Sequence, residues 1–453
     1  MWKSIKQSLG KIQYKMLASL LVLGLCPTLY TTLRIFFLGQ MPDAWAFSIA
    51  GQLGWVNLLY EIVQEAIILP LFYCIGQVVT DRDALTNRVR SGLVVTGVVY
   101  LAFSLLLIAC ADPMVRWMGA NAEIHAQSVE YIRLESVGMI MTMLANFVLV
   151  VLVTMRQDRY VYLVTGARLA LSIVTDTFLV SGLPVSANLG VNGIAVSNII
   201  VSTILFVVSL CLLARQGVEV WKVRKKMTFE WIRSYVKIGA LSGLESFVRN
   251  IAYMLMIVRM VNVVNEQGTY WVANSFIWGW LLLPIAQLGE LIKADIATDA
   301  KAVRENTPAY LFLTTCFVAL WFVGMPLWKP FMTHILQFDE VDKLFRLCAI
   351  LIGFYVLYAY QNVFDATFYG LGKTNYMLFE SVVTNTFYYG IAFVLYLTGV
   401  WTPTLDGIAL LFGIGIAFDS IVSGGAYLYL LRHFRYRWCS GGEEKEGCGE
   451  AKV

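Results

Sequence analysis

The side chains able to do chemistry in this chain are carboxylates and guanidiniums set inside long apolar stretches. Asn57, Glu61, Gln64 and Glu65 make a polar stripe at helical spacing, with Glu61 and Glu65 four residues apart on one face. Two carboxylates that close in a low dielectric repel, so one of them would hold a proton. Such a pair suits proton pickup and release; the alternative is structural pairing with a nearby cation. Arg34 is the obvious cation for that pairing, and it could equally clamp an anionic group or extend to the membrane interface. Asp176 has Ser172 one turn before it, Arg168 two turns before it, and no cation four residues away on either side. That makes Asp176 the best single site for an exchangeable proton or cation, unless another helix supplies a partner charge. Glu245 and Arg249 take the favourable i, i+4 orientation of an ion pair. Tyr358, Gln361, Asn362 and Asp365 form a later polar face, followed by Glu380, Asn385 and Asp419.

Other chemistries are excluded by what surrounds these residues. None of the eight cysteines forms a C-x-x-C pair, and His125, His334 and His433 stand alone near the ends of apolar stretches, so neither a disulfide framework nor a metal site is expected. Gly372-Lys373-Thr374 imitates the end of a phosphate loop, but the first glycine of that motif would fall at Thr367 and no strand precedes it. No nucleophile and base are paired at motif spacing. An enzyme is not expected, and neither is a nucleic-acid partner or a bound cofactor.

The elements that must position these groups are membrane helices. The chain of 453 residues is 58% hydrophobic and 14% charged, with mean hydropathy +0.68. Soluble domains carry ~25% charged residues, so this chain could not cover its surface in water. Twelve apolar stretches are long enough to span a bilayer, at 16–39, 44–79, 91–111, 127–154, 160–182 and 190–213, then 236–263, 269–292, 308–328, 344–370, 376–399 and 407–431. Only helices or closed barrels satisfy the backbone in lipid, so the expected fold is an all-α membrane protein. Residues 1–15 are basic and amphipathic and read as a cytoplasmic surface segment. A six-helix amino lobe follows over 16–214, then a basic cytoplasmic linker over 215–235 and a six-helix carboxy lobe over 236–432. The tail 433–453 is rich in Gly, Glu and Lys and should be disordered.

Basic residues crowd alternate loops: Lys3 to Lys15, Arg82 to Arg90, Arg156 and Arg159, the linker, Lys293 to Arg304, Lys373, and Arg432 to Arg437. The opposite loops hold Arg116, Lys329, Lys343 and Arg346 alone. Positive charge accumulates on the cytoplasmic side, which places both termini there and the chain in the plasma membrane. Val174–Phe178 (VTDTF) returns as Val383–Phe387 (VTNTF), and Gly193–Ala195 returns as Gly407–Ala409, at nearly equal offsets. An even number of spans per repeat makes the lobes parallel repeats about an axis along the membrane normal.

These stretches resemble the multidrug and toxic compound extrusion (MATE) family of the wider flippase superfamily. Lys237–Arg249 (KIGALSGLESFVR) is similar to that family's seventh-span opening, K-I-G-L-P-S-A-L-E-S. Asp176, followed by Leu189–Ala195 (LGVNGIA), is similar to its fifth-span aspartate and sixth-span entry. Met118–Asn121 with Val129–Arg133, and Gly370–Thr374, are similar to its approach to span four and its turn after span ten. The resemblance implies two six-helix lobes around a V-shaped cavity and the export of organic compounds in exchange for protons or sodium. By position, Asp176 matches the amino-lobe cation-site aspartate and Glu245 a carboxy-lobe glutamate. Two family carboxylates are replaced: Arg34 stands at one and Tyr358 at the other, while Ser172 stands for the usual asparagine before Asp176.

The expected function is secondary export by alternating access. Asp176, Glu61, Glu65 and Glu245 would carry the coupling proton or sodium ion. Arg34, Asn57, Ser172, Arg249, Tyr358, Gln361 and Asp365 would line the cavity for a small-molecule substrate. The alternative is a lipid-linked glycan flippase or organic-anion exporter, with Arg34, Arg168 and Arg249 on the anion. The protein is expected to act in the lipid bilayer as a monomer.

Overall fold

Long apolar runs have one local solution in lipid, and these runs adopt it: the backbone pairs within each segment as helix. The computed structural model describes residues 2–68, 70–221 and 227–433, and among them the regular structure is helical throughout. In the amino lobe the first span is Tyr14–Gly39, the third Arg82–Trp117, the fourth His125–Thr154, the fifth Asp158–Leu179 and the sixth Asn192–Arg215. The second is split into Ala46–Gly51, Leu53–Ile67 and Leu71–Gly76. In the carboxy lobe the seventh span runs from Ile232 to Val263 through a π-helical turn at Met254–Val258. The eighth joins Gln267–Phe276, a π turn at Ile277–Leu281 and Leu283–Thr298. The ninth comprises Thr307–Gly324 and Trp328–His334, and the tenth is Val341–Gly370. The eleventh joins Thr374–Val383, a π turn at Thr384–Tyr389 and Gly390–Leu397, and the twelfth is Leu405–His433.

Ten of these helices are individually long and apolar enough to cross a membrane, and the eighth span makes eleven if its two bent pieces count as one. The second span, with its short pieces, completes twelve. The chain is a multi-pass, all-α membrane protein.

Several boundaries differ from the sequence reading, each for a local reason. The unbroken stretch 44–79 is interrupted at Gln52, whose amide reaches Asn262 at 2.8 Å and accepts from Trp55 at 3.0 Å, and again between Ile67 and Leu71. The third span extends well past 91–111 because Asp81 caps its start, accepting from the Asp83 and Ala84 amides, and polar residues continue the helix beyond the apolar core. The eighth span bends by 52° where the π turn meets Leu283 and Pro284. The seventh span opens at Ile232, inside the region read as linker. Residues 222–226 of that linker and 434–453 of the tail lie outside the described residues. The amino-terminal segment forms the helix Trp2–Leu9, and its end rests on the carboxy lobe: the Ser8 hydroxyl donates to the Glu305 carbonyl, and Lys11 Nζ lies 2.5 Å from Glu305.

The lobes meet along two seams, the second span against the seventh and the first against the eighth. Toward the end of the bundle that carries the termini, backbone approaches backbone. A Cβ at Gly239 would overlap the Ala66 carbonyl oxygen, and one at Gly243 would sit 2.8 Å from Ala66 Cβ. At the far end Gln267 donates to the Gly51 carbonyl at 2.7 Å, and Gly268 packs on Phe47 and Ser48. Tyr235, Met254 and Val258 of the seventh span are buried in the same core as Trp55, Tyr60 and Tyr100 of the amino lobe.

Candidate functional site

Three ionic centres occupy the interior. The first lies within the amino lobe. Arg34 of the first span donates from Nε to Asp176 Oδ2 at 2.7 Å and from NH2 to Asp176 Oδ1 at 3.3 Å. The same NH2 reaches Asn198 of the sixth span at 2.6 Å, and Asn198 donates to Glu135 of the fourth at 2.6 Å. Tyr30, one turn before Arg34, lies under its guanidinium at 5.3 Å from the ring centre. The Arg34 side chain is 12% exposed and that of Asp176 1%. Bidentate pairing of this kind is the strongest neutralisation a guanidinium offers a carboxylate. The charge missing from the sequence around Asp176 thus arrives from another helix. Arg34 pairs with Asp176 and not with Glu61 or Glu65. Ser172 is buried one turn away, and Arg168, two turns before Asp176, instead donates to Asn146 at 3.3 Å.

The second centre bridges the lobes. Arg249 of the seventh span contacts Glu65 at 2.9 Å and Glu61 at 3.2 Å on the second span, and Glu245 on its own helix at 3.3 Å. The i, i+4 pair read from the sequence is present, and the two carboxylates of the second span join it. One guanidinium faces three carboxylates, so negative charge is in excess. The Arg249 side chain is 43% exposed, which leaves the cluster open to the space between the lobes. Asn57, one turn before Glu61, is exposed. Asn250 is buried beside the cluster and donates to the Leu58 carbonyl at 3.3 Å, holding the two spans in register.

The third centre lies within the carboxy lobe, where Gln361 and Asp365 of the tenth span meet Glu380 of the eleventh and Asp419 of the twelfth. Gln361 Nε2 donates to Glu380 Oε1 at 2.6 Å and to Asp419 Oδ2 at 2.7 Å, and Ser420 donates to Gln361 Oε1 at 2.8 Å. Thr384 donates to Asp419 Oδ1 and Ser423 to Asp365 Oδ1, both at 2.6 Å. One turn from Gln361 the Tyr358 ring meets Trp278 of the eighth span edge-on at 5.4 Å, with Tyr355 at 6.0 Å. Trp278, Tyr355 and Tyr358 thus meet where the eighth and tenth spans face each other.

A cavity of about 310 Å³ lies between the lobes along the first and eighth spans. Thr28, Thr31, Thr32, Asn274, Trp278 and Trp280 give it neutral polar and aromatic walls. Arg34 of the first ionic centre lies on the same stretch of the first span, between Thr32 and Ile35 of the cavity wall, and pairs with the fifth span. Sequence reading singled out neither Glu135 nor Asn198, nor the threonine face of the first span. Glu135, an acid amid apolar residues of the fourth span, was the one signal available for the first of these.

No family model matches the sequence, and no curated relative is found. Solved structures do match over nearly the whole chain. An inward-facing MATE multidrug-resistance transporter of the MOP superfamily superposes with a TM-score of 0.72 at 18% identity, over 90% of this chain and 96% of its own. An outward-facing MATE of the same superfamily gives 0.63 at 16%, over 94% and 97%. A MOP-superfamily transporter from Pyrococcus furiosus, described as having a binding pocket of reverse polarity that suggests a different function, gives 0.68 at 16%, over 93% and 96%. The chain is built on the two-lobed, twelve-span plan of these structures. Within that class its fold is the MATE fold.

Proposed function

We propose that this protein is a secondary exporter of small organic compounds, working by alternating access between its two lobes and driven by a proton or sodium gradient. The observation that carries this reading is the Arg249 cluster. It ties Glu61 and Glu65 of one lobe to Glu245 and Arg249 of the other, so any rocking of the lobes must remake these contacts, and its excess negative charge can take up a cation or proton as it does so. Glu61, Glu65 and Glu245 are the coupling groups in this proposal. Asp176 keeps a supporting part, because its charge is already met by Arg34.

Exposed charge between the lobes is negative, and the neighbouring cavity wall is aromatic through Trp278 and Trp280, which supports lipophilic organic cations as the substrate class. A cavity of this size suits a small organic molecule. The anion-exporter alternative would need free guanidiniums, whereas Arg34, Arg168 and Arg249 each already hold an acceptor. The cytoplasmic placement of both termini and residence in the plasma membrane, read from loop charge, belong to the same proposal. It is tested in proteoliposomes with an imposed pH or sodium gradient and ethidium as probe. Gradient-dependent ethidium flux that Glu65→Gln abolishes supports it, and flux unchanged by either gradient overturns it.

A further inference from the structure

Outside the Arg249 cluster, the densest group of unneutralised acids is the carboxy-lobe centre. Asp365, Glu380 and Asp419 come from three different helices, and the donors that reach them are all neutral: Gln361, Thr384 and Ser423. Glu380 is 3% exposed and its Oε2 is buried with no hydrogen-bond partner. A buried carboxylate oxygen without a donor is among the most costly groups a protein can hold, more so in a membrane interior. The Gln361 amide nitrogen holds Glu380 and Asp419 side by side, 2.6 Å from one and 2.7 Å from the other. Two carboxylate oxygens repel at that range unless one carries a hydrogen, in which case they form a short, strong O–H···O⁻ bond. A proton on one of the two acids would supply that donor.

Among the described residues no three His, Cys, Asp or Glu side chains group as metal ligands. The charged and titratable groups facing the centre from the packed helices do not supply a substitute. Lys293 of the eighth span is held by Glu290 at 2.7 Å and lies over the Tyr369 ring. Arg249 of the seventh is engaged by its three glutamates. Tyr358 and Tyr369 of the tenth span and Tyr389 of the eleventh bring phenols and no cation.

We infer that Glu380 and Asp419 form a proton-binding site inside the carboxy lobe, with Glu380 as the acceptor. On loading, one O–H bond of hydronium breaks and water leaves, the proton forms an O–H bond on the Glu380 carboxylate directed at Asp419, and the centre loses one negative charge. Unloading reverses the step. Gln361 orients the pair by donating to both acids from one amide nitrogen. Asp365, on the same helix one turn on and bound to Ser423, adds the negative field that favours the loaded state. The part of this inference that joins proton binding to transport rests on the exporter reading; the binding itself does not.

The test is pH-difference infrared spectroscopy of the purified full-length protein in lipid nanodiscs. The carboxylic-acid carbonyl band of the wild type should titrate with pH, lose a component in Glu380→Gln, and shift or lose the same component in Asp419→Asn. Asp176→Asn should leave it in place. A Glu380→Gln spectrum identical to the wild type overturns the site, and Asp419→Asn decides the matter if Glu380→Gln does not fold. In proteoliposomes, Glu380→Gln should lose pH-driven ethidium efflux yet keep gradient-free ethidium exchange. Efflux that remains pH-driven in Glu380→Gln overturns the coupling role. A wild type that moves no ethidium while its band still responds to Glu380→Gln overturns the exporter reading and supports the proton site.

Discussion

Arg34 holds both carboxylate oxygens of Asp176, joining the first span to the fifth across the interior of the amino lobe. The pair is buried, and through Asn198 it extends to Glu135, so a single guanidinium serves two buried acids. Its first consequence concerns stability. Arg34→Ala leaves Asp176 and Glu135 buried without a cation, and breaking a buried pair from one side costs about 3–5 kcal/mol. A marked fall in the unfolding temperature in detergent is expected, with much of it restored in the double variant Arg34→Met, Asp176→Leu. Strictly additive single effects would show that the two side chains are not coupled.

The Arg249 cluster makes a different prediction, because its guanidinium is far more exposed. Arg249→Ala should change stability little, since exposed pairs contribute about 0–1 kcal/mol. The three glutamates left behind then repel across the seam between the second and seventh spans. Ethidium flux should fall while the unfolding temperature stays near that of the wild type. The reverse pattern would make the cluster a structural clamp.

Gly243 lies against Ala66 where a side chain has no room. Gly243→Leu should cost about 1–3 kcal/mol by overpacking and should force the seam apart at the end carrying the termini. A thiol-reactive probe on Ala66→Cys reads this directly, reacting faster in the Gly243→Leu background. Equal rates would mean that the seam yields elsewhere.

Trp278 lines the cavity and packs on Tyr358. Trp278→Ala should weaken ethidium binding by about 0.5–2 kcal/mol through loss of the aromatic face, with little effect on an uncharged dye of the same size. Equal losses for both dyes would assign Trp278 to shape and not to charge recognition.

Orientation can be read by labelling single cysteines in a chain whose eight native cysteines are replaced. Val185→Cys lies at the far end of the bundle and Thr298→Cys at the end carrying the termini. In intact cells an impermeant reagent should modify the first and not the second. Labelling of Thr298→Cys alone would invert the topology drawn from loop charge.

Hydropathy by itself determined the helical class, the number of spans and the two halves, because lipid permits so few backbone solutions that length and apolarity nearly suffice. The same reading found Glu61, Glu65, Glu245 and Arg249 and joined the last two, since helical spacing alone sets i, i+4 neighbours. It named Arg34 as the cation for Glu61 and Glu65, and the structure pairs it with Asp176 instead. Glu61, Glu65 and Asp176 were all available, and the choice depends on which helices touch and how they are rotated. Only the tertiary structure decided that Arg34 faces Asp176, that Arg249 crosses to the second span, and that Glu380 and Asp419 meet around Gln361. The break in the second span at Gln52 coincides with its bond to Asn262 of the other lobe, a contact that no local pattern contains. Hydropathy records how much each segment prefers lipid to water. It carries no information on which polar face meets which, and in this protein the chemistry lies in those meetings.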